Sequence, residues 1–162
     1  MLYTHHNYKV NEHGHLMIGE VDATLLAKKY ETPLYIYDIE RVRQNCRDFM
    51  DPFKEQQVKG RVAYASKAFS SIGILQVIQQ EGLSVDVVSK GELYTAIKAG
   101  FDPERIHLHG NNKSESELEM AIKTGVGCIV IDNFYEIELL DKLLSQFKKK
   151  VNALIRVTPG IE

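Results

Sequence analysis

The sequence predicts an α/β fold assembled from successive strand–helix units, and three observations carry that reading. From residue 33 onward, short apolar runs rich in β-branched and aromatic residues alternate with longer segments of helical period. The strand candidates, such as Cys128-Ile129-Val130-Ile131, are almost continuously hydrophobic, a pattern suited to a parallel sheet covered on both faces. The chain has 162 residues, 44% hydrophobic and 26% charged, enough for one ordinary domain with a buried core and far from a disordered composition.

The first 32 residues stand apart from this pattern. Residues 8–10, a turn over 11–14 and residues 16–18 read as a hairpin, followed by a small amphipathic helix from Ala23 to Tyr30 with Asp22 as its cap. A lone hairpin is marginal in water, so segment 1–32 is expected to pack on something else. Beyond it, strands are expected at 33–37, 61–65, 84–88, 105–109, 127–131 and 151–157, and helices at 39–56, 72–80, 91–99, 114–124 and 134–148. Ser114 followed by Glu117 has capping-box spacing, and Gly82, Gly100 and Gly125 stand where a left-handed residue would end a helix. Leu139, Leu140, Leu143 and Leu144 form a stripe that should face the sheet.

Charge and composition exclude several classes of function. Lys plus Arg number 20 against 22 Asp plus Glu, so no basic field exists to neutralise a row of phosphates, and nucleic acid is not expected as a partner. No apolar run approaches the roughly 20 residues that cross a bilayer, and the N-terminus lacks the features of a signal peptide. The expected location is cytoplasmic, with no membrane association. Cys46 and Cys128 are widely spaced in apolar stretches and read as buried reduced thiols. His5, His6, His13 and His15 invite a metal reading. Without Cys or carboxylate at ligand spacing they are better read as exposed and solvated, so no metal site is expected. Lys148-Lys149-Lys150 suits a helix C-terminus.

A repeat of about 22–27 residues per unit fits a (β/α)8 barrel or an open doubly wound sheet. Six strands cannot close an eight-stranded cylinder, which makes residues 33–162 the first part of a barrel if that architecture holds. An open flavodoxin-like sheet remains the competitor on periodicity.

In either architecture the functional edge is the C-terminal end of the strands. Lys67 follows one apolar run, Asp86 lies inside the next, Ser89, Lys90 and Glu92 follow it, His109-Gly110-Asn111-Asn112-Lys113 ends the fourth, Asp132-Asn133 the fifth, and Arg156 lies on the sixth. A sheltered lysine loses its proton more readily and becomes an amine nucleophile able to form a Schiff base with a carbonyl compound. The plainer reading is a lysine whose stem packs on the fold while its ammonium pairs with Asp86 or Glu92. Asp86, inside an apolar strand, requires a partner, and Lys67, Arg156 or a ligand are the expected ones. No phosphate-cradling GxGxxG or P-loop occurs.

Tyr64-Ala65-Ser66-Lys67-Ala68 resembles the lysine motif of the fold-type III pyridoxal-phosphate decarboxylases, and residues 83–93 resemble their next block. His109-Gly110-Asn111-Asn112-Lys113 is similar to the motif of the diaminopimelate-acting branch of that family. Arg156-Val157-Thr158-Pro159-Gly160-Ile161 resembles its RVNPGI block with Thr158 in place of Asn, and Thr32-Pro33-Leu34-Tyr35-Ile36-Tyr37-Asp38 its first barrel strand. Five motifs in order favour the nucleophile reading of Lys67.

The resemblance implies an incomplete TIM-type (β/α)8 barrel that binds pyridoxal 5'-phosphate. It further implies a following β-domain on which segment 1–32 packs, a homodimer with sites at the interface, and conversion of meso-2,6-diaminopimelate to L-lysine and carbon dioxide. By position, Lys67 would hold the cofactor covalently until the substrate amine displaces it, Asp86 and Glu92 would line its cofactor side, and His109 and Arg156 would stand near the ring. The family's glycine-rich phosphate loop, ring-stacking histidine and substrate-binding arginine and tyrosine have no counterpart in these 162 residues, so the chain alone is expected not to be a competent decarboxylase. Ornithine, arginine or carboxynorspermidine enzymes of the same family, and a non-catalytic cofactor-binding or dimerising remnant, are the alternatives.

Overall fold

A computed structural model describes residues 8–160. The chain divides into two compact units, Met1–Pro52 and Phe53–Glu162.

In the first unit, β1 (Tyr8–Val10) and β2 (Leu16–Ile18) form the expected antiparallel hairpin, with Tyr8 opposite Ile18 and Val10 opposite Leu16. Its turn is held by Asn11, whose side-chain oxygen accepts the N–H groups of His13 (3.0 Å) and His15 (2.9 Å), an Asx-type closure. A two-residue strand absent from the sequence reading, β3 (Val21–Asp22), pairs with β2. It leads into α1 (Ala23–Tyr30), where the Asp22 carboxylate accepts the Thr24 N–H at 2.8 Å as anticipated. α2 (Ile39–Glu55) carries the buried Cys46.

Two expectations fail in this unit. Residues 33–37 belong to no strand: Pro33 has no N–H to donate, Tyr35 is 89% exposed, and an apolar, β-prone composition makes a strand only where a ladder partner is supplied. His15 is not merely solvated, because its Nδ1 lies 2.9 Å from Asp22 Oδ2. His5 and His6 lie outside the described residues, as do Ile161 and Glu162.

The second unit runs β4 (Ala63–Ala65), a 3-10 turn (Ser66–Ala68), α3 (Ile72–Gln80), β5 (Ser84–Val87), α4 (Lys90–Lys98), a second 3-10 turn (Pro103–Arg105), β6 (Ile106–Leu108), α5 (Glu115–Thr124), β7 (Cys128–Ile131), α6 (Phe134–Phe147) and β8 (Ala153–Ile155). Its five strands are parallel and lie in the order β4-β5-β6-β7-β8. That order decides between the two architectures. A doubly wound sheet reverses direction at a switch point, whereas here each strand neighbours its successor, α3 packs on α4, α4 on α5 and α5 on α6. Right-handed crossovers then put every helix on one face, which is the construction of a (β/α)8 barrel wall.

Local chemistry sets where each helix begins. Ser71, Ser89, Ser114 and Asn133 cap α3, α4, α5 and α6, each accepting the N–H three residues on. Ser114 and Glu117 complete the reciprocal capping box, and Gly125 ends α5 at φ 78°. The helix-facing side of β5, β6 and β7 is dry: Val85, Val87, Ile106 and Ile129 are 0% exposed, each contributing about 1.5–3 kcal/mol of burial. They meet Leu75, Leu93, Leu118 and Leu143, also at 0%. Of the expected leucine stripe, Leu140 and Leu143 are buried and Leu139 and Leu144 half-buried. The opposite face of the sheet departs from the expectation of cover on both sides. It carries the polar and half-exposed residues, since alternate side chains of a strand point to opposite faces.

Candidate functional site

Register determines which polar groups meet. Ala65 pairs with Asp86, Asp86 with His107, and His107 with Cys128, so these residues share the face away from the helices. With a period of two, His109 follows His107, Asp132 follows Cys128 and Val130, and Arg156 follows Leu154 on that face. At the C-terminal ends of the strands lies a cavity of about 480 Å³ whose lining includes Lys67, Asp86, His109, Asp132, Arg156 and Thr158.

Lys67 sits in the 3-10 turn directly after β4. Its predecessor Ser66 is 1% exposed; the Ser66 hydroxyl donates to Glu92 Oε2 at 2.6 Å and lies 2.8 Å from the Asp86 carbonyl oxygen. Glu92 Oε2 also accepts the Val88 N–H at 2.9 Å. Glu92 is therefore not a cavity residue. It clamps the ends of β4 and β5 from behind and directs Lys67 through Ser66. Lys67 itself is exposed, contrary to the sheltered amine anticipated from sequence, and among the described residues it makes no ion pair.

Asp86 does not pair with Lys67 or Arg156. Its Oδ1 lies 3.0 Å from His107 Nδ1 and its Oδ2 3.5 Å from His109 Nε2. The reason is register: His107 is directly opposite Asp86 on the neighbouring strand, while Lys67 has left the sheet. Arg156, with its side chain 63% exposed, stands 3.7 Å from Asp132 Oδ1. Sequence reasoning placed Asp132 at this edge but missed His107 as a neighbour of the group. The available signal was the i, i+2 spacing of His107 and His109 on one predicted strand.

Behind the rim lies a buried ion pair. Lys113 Nζ is 2.6 Å from Glu136 Oε1, with side-chain exposures of 2% and 3%, and it also donates to Gly110 O (2.7 Å) and Val130 O (2.6 Å). All three ammonium protons are used. This ties the Gly110-Asn111 segment, which lines the cavity, to β7 and α6. Cys128, buried on the cavity side of the sheet, has its thiol pKa raised by burial and by the negative charge of Asp86, against a hydrogen bond from the Leu154 backbone.

The residues present fit pyridoxal 5'-phosphate in part. An exposed amine, imidazole and guanidinium donors, and a cavity within the range that takes small cofactors suit an aldehyde-bearing aromatic ring. Among the described residues no glycine-rich segment cradles a phosphate.

Residues 39–162 match the model of the pyridoxal-dependent decarboxylases, pyridoxal binding domain. Among curated relatives, the diaminopimelate decarboxylases of Bacillus methanolicus and Bacillus subtilis (strain 168) are 56% and 53% identical over 161 residues, 99% of this chain in each case. The chain spans 37% of the length of either relative. Among solved structures, diaminopimelate decarboxylase from M. jannaschii superposes with a TM-score of 0.91 at 27% identity, over 97% of this chain and 37% of that one. That of Helicobacter pylori, complexed with L-lysine, superposes with a TM-score of 0.78 at 29% identity, over 84% of this chain and 34% of that one. With the matched region covering the parallel sheet, its helices and the lysine-bearing rim, the chain belongs to the pyridoxal-dependent decarboxylase family, in the region of its pyridoxal-binding domain.

Proposed function

We propose that this chain supplies the lysine-bearing wall of a pyridoxal-phosphate-dependent diaminopimelate decarboxylase, which converts meso-2,6-diaminopimelate to L-lysine and carbon dioxide as a homodimer. The observation that carries the proposal is the position of Lys67: an amine at the C-terminal rim of the sheet, opening onto the cavity, with both carboxylates that could have neutralised it engaged elsewhere. The identity to diaminopimelate decarboxylases supports the substrate.

Bound pyridoxal phosphate supplies an electron-withdrawing ring that accepts the electron pair left when a carboxylate departs. The chain's own residues hold and orient. Lys67 would hold the cofactor through its amine and would move a proton at the cavity mouth. Glu92 and Ser66 fix the backbone from which Lys67 projects. Asp86, hydrogen-bonded to His107 and near His109, would present negative charge to the bound group, and Arg156 would offer a cation to an anionic one. The Lys113–Glu136 pair keeps the Gly110-Asn111 segment against the cavity.

Reducing the protein with borohydride in the presence of pyridoxal phosphate and mapping the modified peptide tests the assignment. A single label on Lys67 is expected; label spread over several surface lysines overturns it. In the full-length protein, carbon dioxide release from meso-2,6-diaminopimelate in preference to ornithine, arginine or carboxynorspermidine tests the substrate.

A further inference from the structure

We infer that His107 is a positioning residue for the reaction, acting through Asp86: it pins one carboxylate oxygen so that the other stays with His109 on the cofactor side of the sheet. This rests on the functional reading above. His107 is not on the cavity that contains Lys67. It lines a second cavity at the N-terminal ends of the strands, of about 670 Å³, whereas Asp86 and His109 line the first. Asp86 thus stands between two imidazoles that approach from opposite ends of the sheet, one for each oxygen, at 3.0 and 3.5 Å. All three side chains are about a quarter to a third exposed, at 26%, 28% and 32%.

Two properties distinguish this arrangement from an incidental surface contact. The His107–Asp86 pair is in register across parallel strands, so the backbone, not a flexible side chain, brings it together. A carboxylate with one oxygen held also cannot rotate about its terminal torsion, which is otherwise broad and soft. Released, Asp86 could turn toward the Lys67 amine or the Arg156 guanidinium, the nearby cations, and neutralise the charge the site needs. The carboxylate selects the His107 tautomer with the proton on Nδ1. The charged and titratable groups facing Asp86 are Lys67 from the turn after β4, His107 and His109 from β6 and its end, Cys128 and Asp132 from β7 and its end, and Arg156 from β8.

The test uses the full-length protein loaded with pyridoxal phosphate. His107→Leu removes the donor, His107→Asn places an amide N–H close to the Nδ1 position, and His107→Gln places one too far out. Expected for His107→Leu is a fall in kcat of about tenfold or more with KM little changed, the scale of a misplaced catalytic group. A displaced pH midpoint of the bound cofactor's visible absorption band should accompany it. Asparagine should restore both and glutamine should not. If leucine prevents folding, asparagine and glutamine alone decide: equal impairment overturns the inference. So does a leucine variant that folds and keeps both kcat and the band midpoint. Borohydride labelling of Lys67 runs alongside. Its absence in the unsubstituted protein refutes the functional reading, while its presence with a neutral His107→Leu refutes only the positioning role.

Discussion

Replacing Lys113 with Met tests whether the buried ion pair holds the cavity rim together. Methionine keeps the stem's length and apolar contacts and removes the ammonium. Three acceptors then lose their donor at once: Glu136 Oε1, Gly110 O and Val130 O, all now 2.6–2.7 Å from Nζ. Among the described residues the carboxylate of Glu136, 3% exposed, then keeps the Asp132 N–H at 3.3 Å as its donor. Removing one partner of such a pair costs about 3–5 kcal/mol, against a total stability of roughly 5–15 kcal/mol for an ordinary domain. Urea unfolding followed by far-ultraviolet circular dichroism at pH 7 should show a lower midpoint with an unchanged slope, the product of slope and midpoint shift equalling that loss. Adding Glu136→Gln in the same chain removes the stranded charge and should recover about 1–2 kcal/mol, because a neutral buried amide is cheaper to leave half-satisfied than a carboxylate. A loss below about 1 kcal/mol for Lys113→Met, or a double variant no more stable than the single one, would refute the argument that charge burial and not packing makes this pair costly to break.

Other consequences are open to direct measurement. Gly127→Ala should destabilise by about 1–3 kcal/mol or more in the same urea assay, because an added Cβ would collide with the Glu104 backbone carbonyl, and the Gly127 N–H is already bonded to Pro103 O at 2.8 Å. The Asp22 carboxyl is held well below the usual range by hydrogen bonds from the Thr24 side chain and then His15, against burial, with the Thr24 N–H and the charge of His15 adding to the shift. Its folded pKa is below the unfolded one of about 3.9, so its stabilisation of α1 is complete above that pH and drains away as pH falls further. Amide exchange over 24–30, corrected for intrinsic rates, should show α1 opening in acid, and an Asp22→Asn variant should lack that dependence. Cys128, its thiol pKa raised, should react with iodoacetamide at pH 8 far more slowly than a free thiol and catch up in denaturant; rapid labelling of the folded chain would contradict its burial.

Much of the secondary structure was legible because its signals are local. α3 spans residues 72–80 as the apolar period required, and the capping serines, the αL glycines and the Asp22 cap act within four residues of themselves. Lys67, Asp86, His109 and Arg156 line one cavity because parallel strands bring their C-terminal ends to one edge whatever lies between them. Residues 33–37 were misread because pairing is a property of neighbours and not of composition. Glu92 was assigned to the cofactor side, yet one turn into α4 its side chain reaches back to Ser66 and Val88. The partner of Asp86 was sought among distant cations and found on the adjacent strand.

By itself, then, the order of residues determined the alternation of strands and helices, where each helix starts and stops, and at which edge of the sheet Lys67, Asp86, His109 and Arg156 gather, since all of these follow from periodicity, capping and chain direction. Only the tertiary structure decided that the strands run β4 to β8 without reversal, that Asp86 meets two histidines, that Lys113 is sealed against Glu136, and that Lys67 makes no ion pair among the described residues. Register and burial arise between segments 20 or more residues apart, and a one-residue slip in pairing would turn every one of those side chains to the other face of the sheet.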